Sequence, residues 1–251
     1  MSTTGFLPTA PVLRSEWIKI RSLRSTVGAL LAILLTTAGI QTLTAAAIGT
    51  AEAGSMGDDP LLAAYYGLNF GQIAAIAFGA TAVAGEFHNA GLRITLTAVP
   101  DRTRFYLAKI ATIGGLAFLV GQVTALATFL GGQAQMGPYT IHLGDPGALR
   151  SVIGCGVYLT LLTLFAAGLT AVIRSAAAVL SLLVPFFLLV SFVIAAKTSG
   201  VAQFLPDRAG QVILRSEPEG VLGPWTGLGV MALWTVAALA GGWLAVRRRD
   251  A

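Results

Sequence analysis

The side chains that most often perform covalent or metal chemistry are few in this sequence and far apart. A serine hydrolase needs a serine and a histidine buried together, but His88 and His142 both lie in polar connecting segments. Two single histidines also cannot supply the clustered ligands of a metal site. The single cysteine, Cys155, excludes an intrachain disulfide framework and a cysteine-based zinc site. We therefore expect no catalytic, cofactor-binding or metal-binding residues in this chain.

Nucleotide chemistry is not expected within the chain either. The sequence contains no Gly-x-x-x-x-Gly-Lys-Ser/Thr motif, and this motif forms the loop that holds the phosphates of ATP in P-loop proteins. Any use of ATP would therefore require a separate subunit.

The composition is that of a membrane protein. Of 251 residues, 16 are Lys or Arg and 11 are Asp or Glu, so that 11% of the chain is charged, against roughly 25% in soluble domains. Hydrophobic residues make up 55% of the chain, and the mean hydropathy is +0.79. Such a chain cannot cover a water-facing surface with polar groups, which excludes an ordinary soluble enzyme. It is also too apolar for a disordered chain.

The charged residues divide the chain into six long charge-free windows. Each window provides the roughly 20 residues that a helix needs to cross about 30 Å of hydrocarbon. None shows the alternation over about 10 residues that is typical of a barrel strand. We therefore predict an all-α integral membrane protein that forms one transmembrane domain over residues 1–251. The predicted spans are approximately 26–48, 61–84, 109–130, 151–173, 176–196 and 222–246.

Basic residues predict the orientation of these spans. Most Lys and Arg residues flank the ends on the side of the N-terminus, and the other side holds Arg150, Lys197, Arg208 and Arg215. The positive-inside rule then places both termini in the cytoplasm. Ala45 and Ala47 form a possible signal-peptidase site, but the preceding apolar run is too long for a signal peptide, so we expect a retained first span. The basic pI of about 9.8 fits attraction to lipid headgroups better than nucleic-acid binding.

A short helix is predicted over residues 11–24, before the first span. Leu13, Trp17 and Ile20 share one helical face, and tryptophan is common at headgroup depth. We interpret the segment as an interfacial helix on the inner leaflet. The alternative is a positively charged flank with no fixed shape. The basic residues around the apolar face are Arg14, Lys19 and Arg21.

The largest cytoplasmic segment follows the second span. Leu92, Leu96 and Val99 have helical spacing, and Pro100 ends any such helix. A short helix across the mouth of the bundle, with apolar residues and a few charges, has the character of a docking surface. The alternative is a connecting loop whose leucines return to the bilayer.

The predicted spans contain few polar features in their interior. No Lys, Arg, Asp or Glu lies in the middle of any span, which argues against proton coupling and a charged ion path. The predicted substrate path includes Asn69 and Gln72 in span two, together with Pro185 and Phe186 in span five. Pro185 should bend its helix. The alternatives are hydrogen bonds between helices and plain lipid contact. Outside, residues 198–220 form the longest polar segment, with a short capped helix beginning at Pro206.

Two motifs resemble those of a known family. The stretch Ser15-Glu16-Trp17-x-Lys19-x-Arg21-Ser22-x-Arg24-Ser25-Thr26 resembles the opening of actinobacterial ABC transporter permeases of the type-two export class. Their loop between spans two and three is similar to a second set of residues, namely Gly85-Glu86-Phe87, Gly91-Leu92, Leu96, Pro100, Arg102 and Lys109. The resemblance covers the predicted topology of six spans with both ends inside.

This resemblance implies a permease subunit of an ATP-driven exporter in a bacterial plasma membrane. The chain would pair as a homodimer, or with a second permease, and each permease would bind a separate ATP-binding subunit that holds ATP and Mg²⁺. Residues 11–24 would be the connecting helix, 86–99 the coupling helix, and 198–220 the external helices. Glu86 would form a hub of ion pairs with nearby arginines. The implied docking residues are Glu86, Phe87, Leu92, Arg93, Leu96 and Arg102.

The charge-free spans indicate a hydrophobic or amphiphilic substrate, such as a drug, an antibiotic or a lipid. The alternative function is a membrane-bound sensory or binding protein that docks a cytoplasmic partner other than an ATPase.

Overall fold

The computed structural model describes residues 9–22, 24–52, 59–87, 101–190, 193, 199–217 and 220–248. The described part is helical and contains no strand. Its α-helices are α1 (Thr9–Ser22), α2 (Arg24–Glu52), α3 (Pro60–Ala63), α4 (Leu68–Ala84), α5 (Arg102–Gln133), α6 (Ala148–Ile173), α7 (Ala176–Pro185), α8 (Ser199–Ala202), α9 (Pro206–Gln211) and α10 (Pro224–Arg248).

Five apolar helices within the described residues are long enough to cross a membrane. They coincide with windows one, two, three, four and six of the sequence, so an all-α, multi-pass membrane protein is the architecture that the structure supports. The five stretches are Arg24–Ala47, Leu68–Phe87, Arg102–Gln133, Ala148–Ile173 and Pro224–Arg248.

The fifth predicted span, 176–196, is shorter in the described residues. The apolar helix runs over Ala176–Leu189, about 21 Å at 1.5 Å per residue. Its hydrogen-bond pattern changes from α to π at Phe186, directly after Pro185, because proline has no N–H to continue the α pattern. Residues 191–192 and 194–198 lie outside the described part, so the fifth predicted span, and with it the total of six, stays a prediction.

A helix covers most of the segment that was predicted as an interfacial helix over 11–24. It runs over Thr9–Ser22, and a new helix begins at Arg24. The hydroxyl of Thr26 donates to the carbonyl oxygen of Ile20 at 2.7 Å, which joins the two helices across their junction. The chain therefore turns two residues earlier than the sequence pattern indicated.

Contacts between helix ends and connecting segments define the two ends of the bundle. At one end, which we call the basic end, α1 packs on α5, and Arg102 at the start of α5 donates to the carbonyl oxygen of Val246 in α10 at 3.1 Å. At the opposite end, both carboxylate oxygens of Asp59 accept from the backbone of Ser216 at 3.0 Å. The connections before the second and the last spanning helices are thus joined at the end away from α1.

Helix α6 is the centre of the bundle, because it packs against α4, α5 and α10. Its approach to α4 depends on glycine. A Cβ atom at Gly79 would overlap the backbone carbonyl oxygen of Thr163 on α6, so only a residue without a side chain allows this spacing.

The external helix predicted from Pro206 is α9, followed by a 3-10 turn over Val212–Leu214. This segment descends along the bundle rather than covering its end. The side chain of Gln211 donates to the hydroxyl of Tyr158 at 3.3 Å, and Tyr158 lies ten residues into α6, about 15 Å from its first residue. The segment therefore reaches well below the end of α6.

We expect Gly79→Ala to destabilise the bundle, since the new methyl group must push α4 away from α6. Such overpacking costs about 1–3 kcal/mol. The measurement is the midpoint of thermal unfolding in detergent. The matched control is Gly115→Ala in α5, where a Cβ atom meets nothing within 4 Å. A Gly79 variant as stable as the Gly115 variant would contradict the tight α4–α6 contact.

Candidate functional site

Four charged side chains from three segments meet at the basic end, and we call them the charged cluster. They are Glu16 and Lys19 of α1, Glu86 of the 3-10 turn after α4, and Lys109 of α5. Lys109 Nζ lies 2.8 Å from Glu16 Oε2 and 2.8 Å from Glu86 Oε1. Lys19 Nζ lies 2.8 Å from Glu16 Oε1 and 3.1 Å from Glu86 Oε1. Each lysine therefore contacts both carboxylates, and the formal charges sum to zero.

Three of these four groups are buried. Glu16 is 1% exposed, Lys109 is 4% exposed and Glu86 is 8% exposed. Transfer of a charged group out of water costs several kcal/mol, which only close opposite charges and additional polar contacts offset. Lys109 has a third oxygen at 3.4 Å, the backbone carbonyl of Ala82. The burial of these charges is therefore compatible with a stable fold because all four groups are present together.

An aromatic ring lies beside both lysines. The ring centroid of Phe105, a buried residue of α5, is 5.8 Å from Lys19 Nζ and 5.9 Å from Lys109 Nζ. The negative face of an aromatic ring attracts cations at this distance. Phe105 thus adds a favourable contact for both lysines without adding charge.

The cluster keeps Lys19 positively charged. Burial lowers the pKa of Lys19, but the hydrogen bond and the charge of Glu16, together with those of Glu86, outweigh this effect and raise the pKa above its usual value. Lys19 therefore remains a cation at neutral pH, and the balance of charges in the cluster is maintained.

The length of α5 bears on the depth at which the cluster would lie in a membrane. Helix α5 has 32 residues and is about 48 Å long, whereas the hydrocarbon is about 30 Å thick. A centred α5 therefore projects about 9 Å at each end. Lys109 follows the first residue of α5 by seven positions, or about 10 Å, so in a centred helix its backbone would stand at the level where the hydrocarbon begins.

The orientation of α1 differs from the prediction. Trp17 and Ile20 were expected to share one helical face, but Ile20 is 4% exposed and packs in the core, whereas Trp17 is 46% exposed. Glu16 is one turn before Ile20 and points to the same side. The ion pairs of Glu16 rotate α1 in this way, a contact that hydrophobic periodicity cannot reveal. The side chains of Leu13 and Arg21 lie outside the described part.

The predicted docking residues lie in different surroundings. Glu86 belongs to the charged cluster, where its described partners are lysines and not the expected arginines. The ring of Phe87 lies 5.4 Å from the guanidinium group of Arg174, at the end of α6. Arg102 contacts the end of α10. The remaining docking residues, Leu92, Arg93 and Leu96, lie outside the described residues.

The described hydrogen bonds and ring contacts of the predicted substrate-path residues join them to other residues and not to one another. Asn69 is exposed and donates to the carbonyl oxygen of Tyr66 in its own segment at 3.2 Å. Gln72 is buried and accepts a hydrogen bond from Tyr158 at 3.0 Å. Pro185 is exposed, and the half-buried ring of Phe186 lies 5.5 Å from that of Phe187. Gln72 therefore serves a helix–helix hydrogen bond, one of the alternatives that the sequence left open.

One acidic side chain is buried where the sequence did not lead us to expect it. Helix α9 brings Asp207 into the bundle, where it is 3% exposed. Among the residues that the structure describes, no group of three or more His, Cys, Asp or Glu side chains is placed to hold a metal ion.

Sequence reasoning missed Glu16 and Lys109 as members of the site, although both carry a signal. Glu16 is the only acidic residue before Glu52, within a basic segment, and Lys19 follows it at the i+3 spacing of an ion pair on a helix. Lys109 directly precedes an apolar window. A carboxylate isolated among basic residues, and a lysine at a membrane boundary, are both expected to have a partner.

Comparison with known proteins does not identify the chain. No family model matches it, and no curated protein matches it. The charged cluster and the two motifs are therefore the features of the chain that bear on its function.

We expect the removal of one member of the charged cluster to be more destabilising than the removal of a neutral pair. Glu16→Ala or Lys109→Met leaves an unbalanced buried charge, at a cost of about 3–5 kcal/mol. The double variant Glu16→Gln/Lys109→Met leaves the balanced pair of Lys19 and Glu86, and it should regain much of that loss. Thermal unfolding in detergent measures the difference.

The control for this series is Glu217→Ala, because Glu217 is an exposed carboxylate at the opposite end of the bundle, and its loss should cost less than about 1 kcal/mol. A double variant less stable than both single variants would show that the cluster is not a charge-balanced unit.

Proposed function

We propose that this chain is the membrane-spanning permease subunit of an ATP-driven ABC exporter in a bacterial plasma membrane. A separate ATP-binding subunit supplies the energy. Two permeases pair, as a homodimer or as a heterodimer, and move a hydrophobic or amphiphilic substrate by alternating access.

The observation that carries this proposal is the convergence of the two motifs. Glu16 and Lys19 belong to the motif before the first span, and Glu86 and Lys109 belong to the motif around the loop after span two. These four residues form the charged cluster. Motifs so far apart in the chain meet at one end of the bundle, which supports a common role in docking and coupling at that end.

The proposed topology has six spans with both termini in the cytoplasm. Arg174 contacts Phe87 at the basic end, whereas residues 215–216 contact Asp59 and Arg150 at the opposite end. The segment from 175 to 198 therefore connects the two ends, which supports a sixth crossing through α7. The predominance of basic residues supports a cytoplasmic location for the basic end.

The coupling mechanism follows from the position of Glu86. The proposed coupling segment 86–99 begins at this residue, and its docking residues Leu92, Arg93 and Leu96 contact the ATP-binding subunit. When ATP closes the paired ATP-binding subunits, they draw the two coupling segments together. Glu86 then transmits the displacement to α5 through Lys109 and to α1 through Lys19. The transporter shifts between inward-open and outward-open states because these contacts bias one of them.

The interior of the spans supports an uncharged or amphiphilic substrate. The polar groups described there, such as Gln72 and Tyr158, are hydrogen-bonded to each other. A substrate that crosses without a charged partner in the spans must lose little hydration energy, which favours a largely apolar molecule.

Co-purification tests the proposal directly. The tagged chain is expressed together with the genes adjacent to its own and purified in mild detergent. We expect a P-loop protein to co-purify, and we expect amphiphilic drugs to stimulate ATP hydrolysis by the complex. Recovery of the chain alone, or with a kinase, would favour the sensory or binding protein instead.

Charge substitutions test the role of the coupling segment. We expect Glu86→Ala and Arg93→Glu to reduce substrate transport or recovery of the ATP-binding subunit by tenfold or more, about 1.4 kcal/mol in coupling free energy. Glu52→Ala, at the end of α2 away from the charged cluster, should have little effect. Size-exclusion profiles verify that each variant is folded. Equal losses in all three variants would refute the assignment of the coupling segment.

A further inference from the structure

Helix α1 has a second face that points away from the bundle. Glu16 and Ile20 are buried and define the inward side. Arg14 and Ile18 are one turn apart on the other side and are both exposed, and Trp17 beside them is 46% exposed. An exposed face that combines arginine, tryptophan and isoleucine resembles neither a water-facing surface nor a purely lipid-facing one. Arginine and tryptophan are typical of the headgroup level, and isoleucine is typical of the hydrocarbon beside it.

The exposed charge on this side of the bundle is positive. Glu16 and Glu86 are buried and paired within the charged cluster, so neither offsets the charge of the surface. Arg14 of α1 and Arg24 at the start of α2 are exposed. Asp101, the exposed acidic residue described at this end, accepts hydrogen bonds from the first backbone amides of α5. The surface formed by α1 and the start of α2 therefore attracts anions.

The charged cluster also fixes the depth of this surface. Glu16 holds α1 against Lys109, whose backbone lies about 10 Å from the start of α5, where the hydrocarbon begins. The outward face of α1 therefore lies at the level of the headgroups. A cation at this depth meets phosphate groups, and an adjacent tryptophan or isoleucine meets the glycerol and the first carbons of the acyl chains.

We propose that the face of α1 formed by Arg14, Trp17 and Ile18, together with Arg24 of α2, is a binding surface for anionic phospholipids. The arginines contact the phosphates, and Trp17 and Ile18 lie just below them. Charge complementarity and the depth of the face favour a lipid over a soluble protein. The inference is independent of the proposed transport function, because it concerns the isolated chain in a bilayer.

Fluorescence quenching by brominated lipids tests this proposal. The purified chain is reconstituted into phosphatidylcholine vesicles with a minor fraction of either phosphatidylglycerol or phosphatidylcholine that is brominated close to the headgroup. The signal of Trp17 is the difference between the wild-type chain and Trp17→Phe. We expect brominated phosphatidylglycerol to quench this signal more strongly, with local enrichment falling roughly fivefold for each arginine removed.

The matched variants have the same change in charge. Arg14→Gln/Arg24→Gln should abolish the preference for phosphatidylglycerol, whereas Arg247→Gln/Arg248→Gln, at exposed positions of α10 on the same end, should preserve it. Arg14→Lys/Arg24→Lys should retain most of the preference. In the wild-type chain, 1 M salt should reduce the preference, since screening then acts within about 3 Å. This measurement needs no substitution in the arginines.

Three results would overturn the proposal. Equal quenching by the two brominated lipids would show that the face does not select anionic lipid. Absence of quenching by both would show that Trp17 is covered by protein in the vesicle, that is, by a second copy of the chain. An equal loss of preference in the α10 variant would show that the whole basic end attracts anionic lipid and that α1 has no distinct role.

Discussion

Charged groups that are buried within a protein are stable only where opposite charges balance them, and this constraint organises the basic end of the bundle. Lys109 extends from the first turns of a spanning helix into surroundings where it is almost fully buried. It needs carboxylates nearby, and the 3-10 turn after α4 provides one, at Glu86. The second carboxylate, Glu16, comes from α1 and brings Lys19 with it. The position of α1 on the bundle is thus a consequence of the charge balance.

The opposite end is held by a different set of contacts. There Asp59 accepts hydrogen bonds from Ser216, and α9 packs against α6 and α10 through close glycine contacts. These contacts are hydrogen bonds and close packing of backbone against glycine, which require the helices to fit closely. The charged cluster instead joins α1, the turn after α4 and α5 through electrostatic attraction. A displacement of Glu86 would therefore be passed to α1 and α5 through the ion pairs. The packing at the far end would change only when the helices shift against one another.

The spans were predictable and the contacts between them were not. Five of the six charge-free windows appear as helices of spanning length, because the cost of exposing backbone polar groups to lipid leaves a long apolar segment few alternatives. The helix at Pro206 was also predictable, from proline at its first turn. The rotation of α1 was not predictable, since apolar spacing placed Trp17 and Ile20 together while the pairing of Glu16 separated them.

Sequence reasoning found Glu86 but did not predict the two lysines that the structure places beside it. Arginines are close to Glu86 along the chain, whereas Lys109 is twenty-three residues away and reaches it only because α4 and α5 are neighbours at the basic end. Pairing in a bundle depends on which helix ends meet, and a single sequence does not contain that information. The same limit applies to Tyr158 and Gln211, whose hydrogen bond requires α9 to descend beside α6.

The two faces of α1 connect the membrane surface with the charged cluster. Glu16 on one side pairs with Lys109, and Arg14 and Trp17, less than a turn of helix away, belong to the proposed lipid-binding face. Any force on one face is transmitted to the other, because a helix of fourteen residues is rigid over such a short distance. If the proposed lipid-binding face contacts anionic lipid, a change in the lipids around α1 would alter the same ion pairs that, in the proposed transport cycle, respond to the coupling segment.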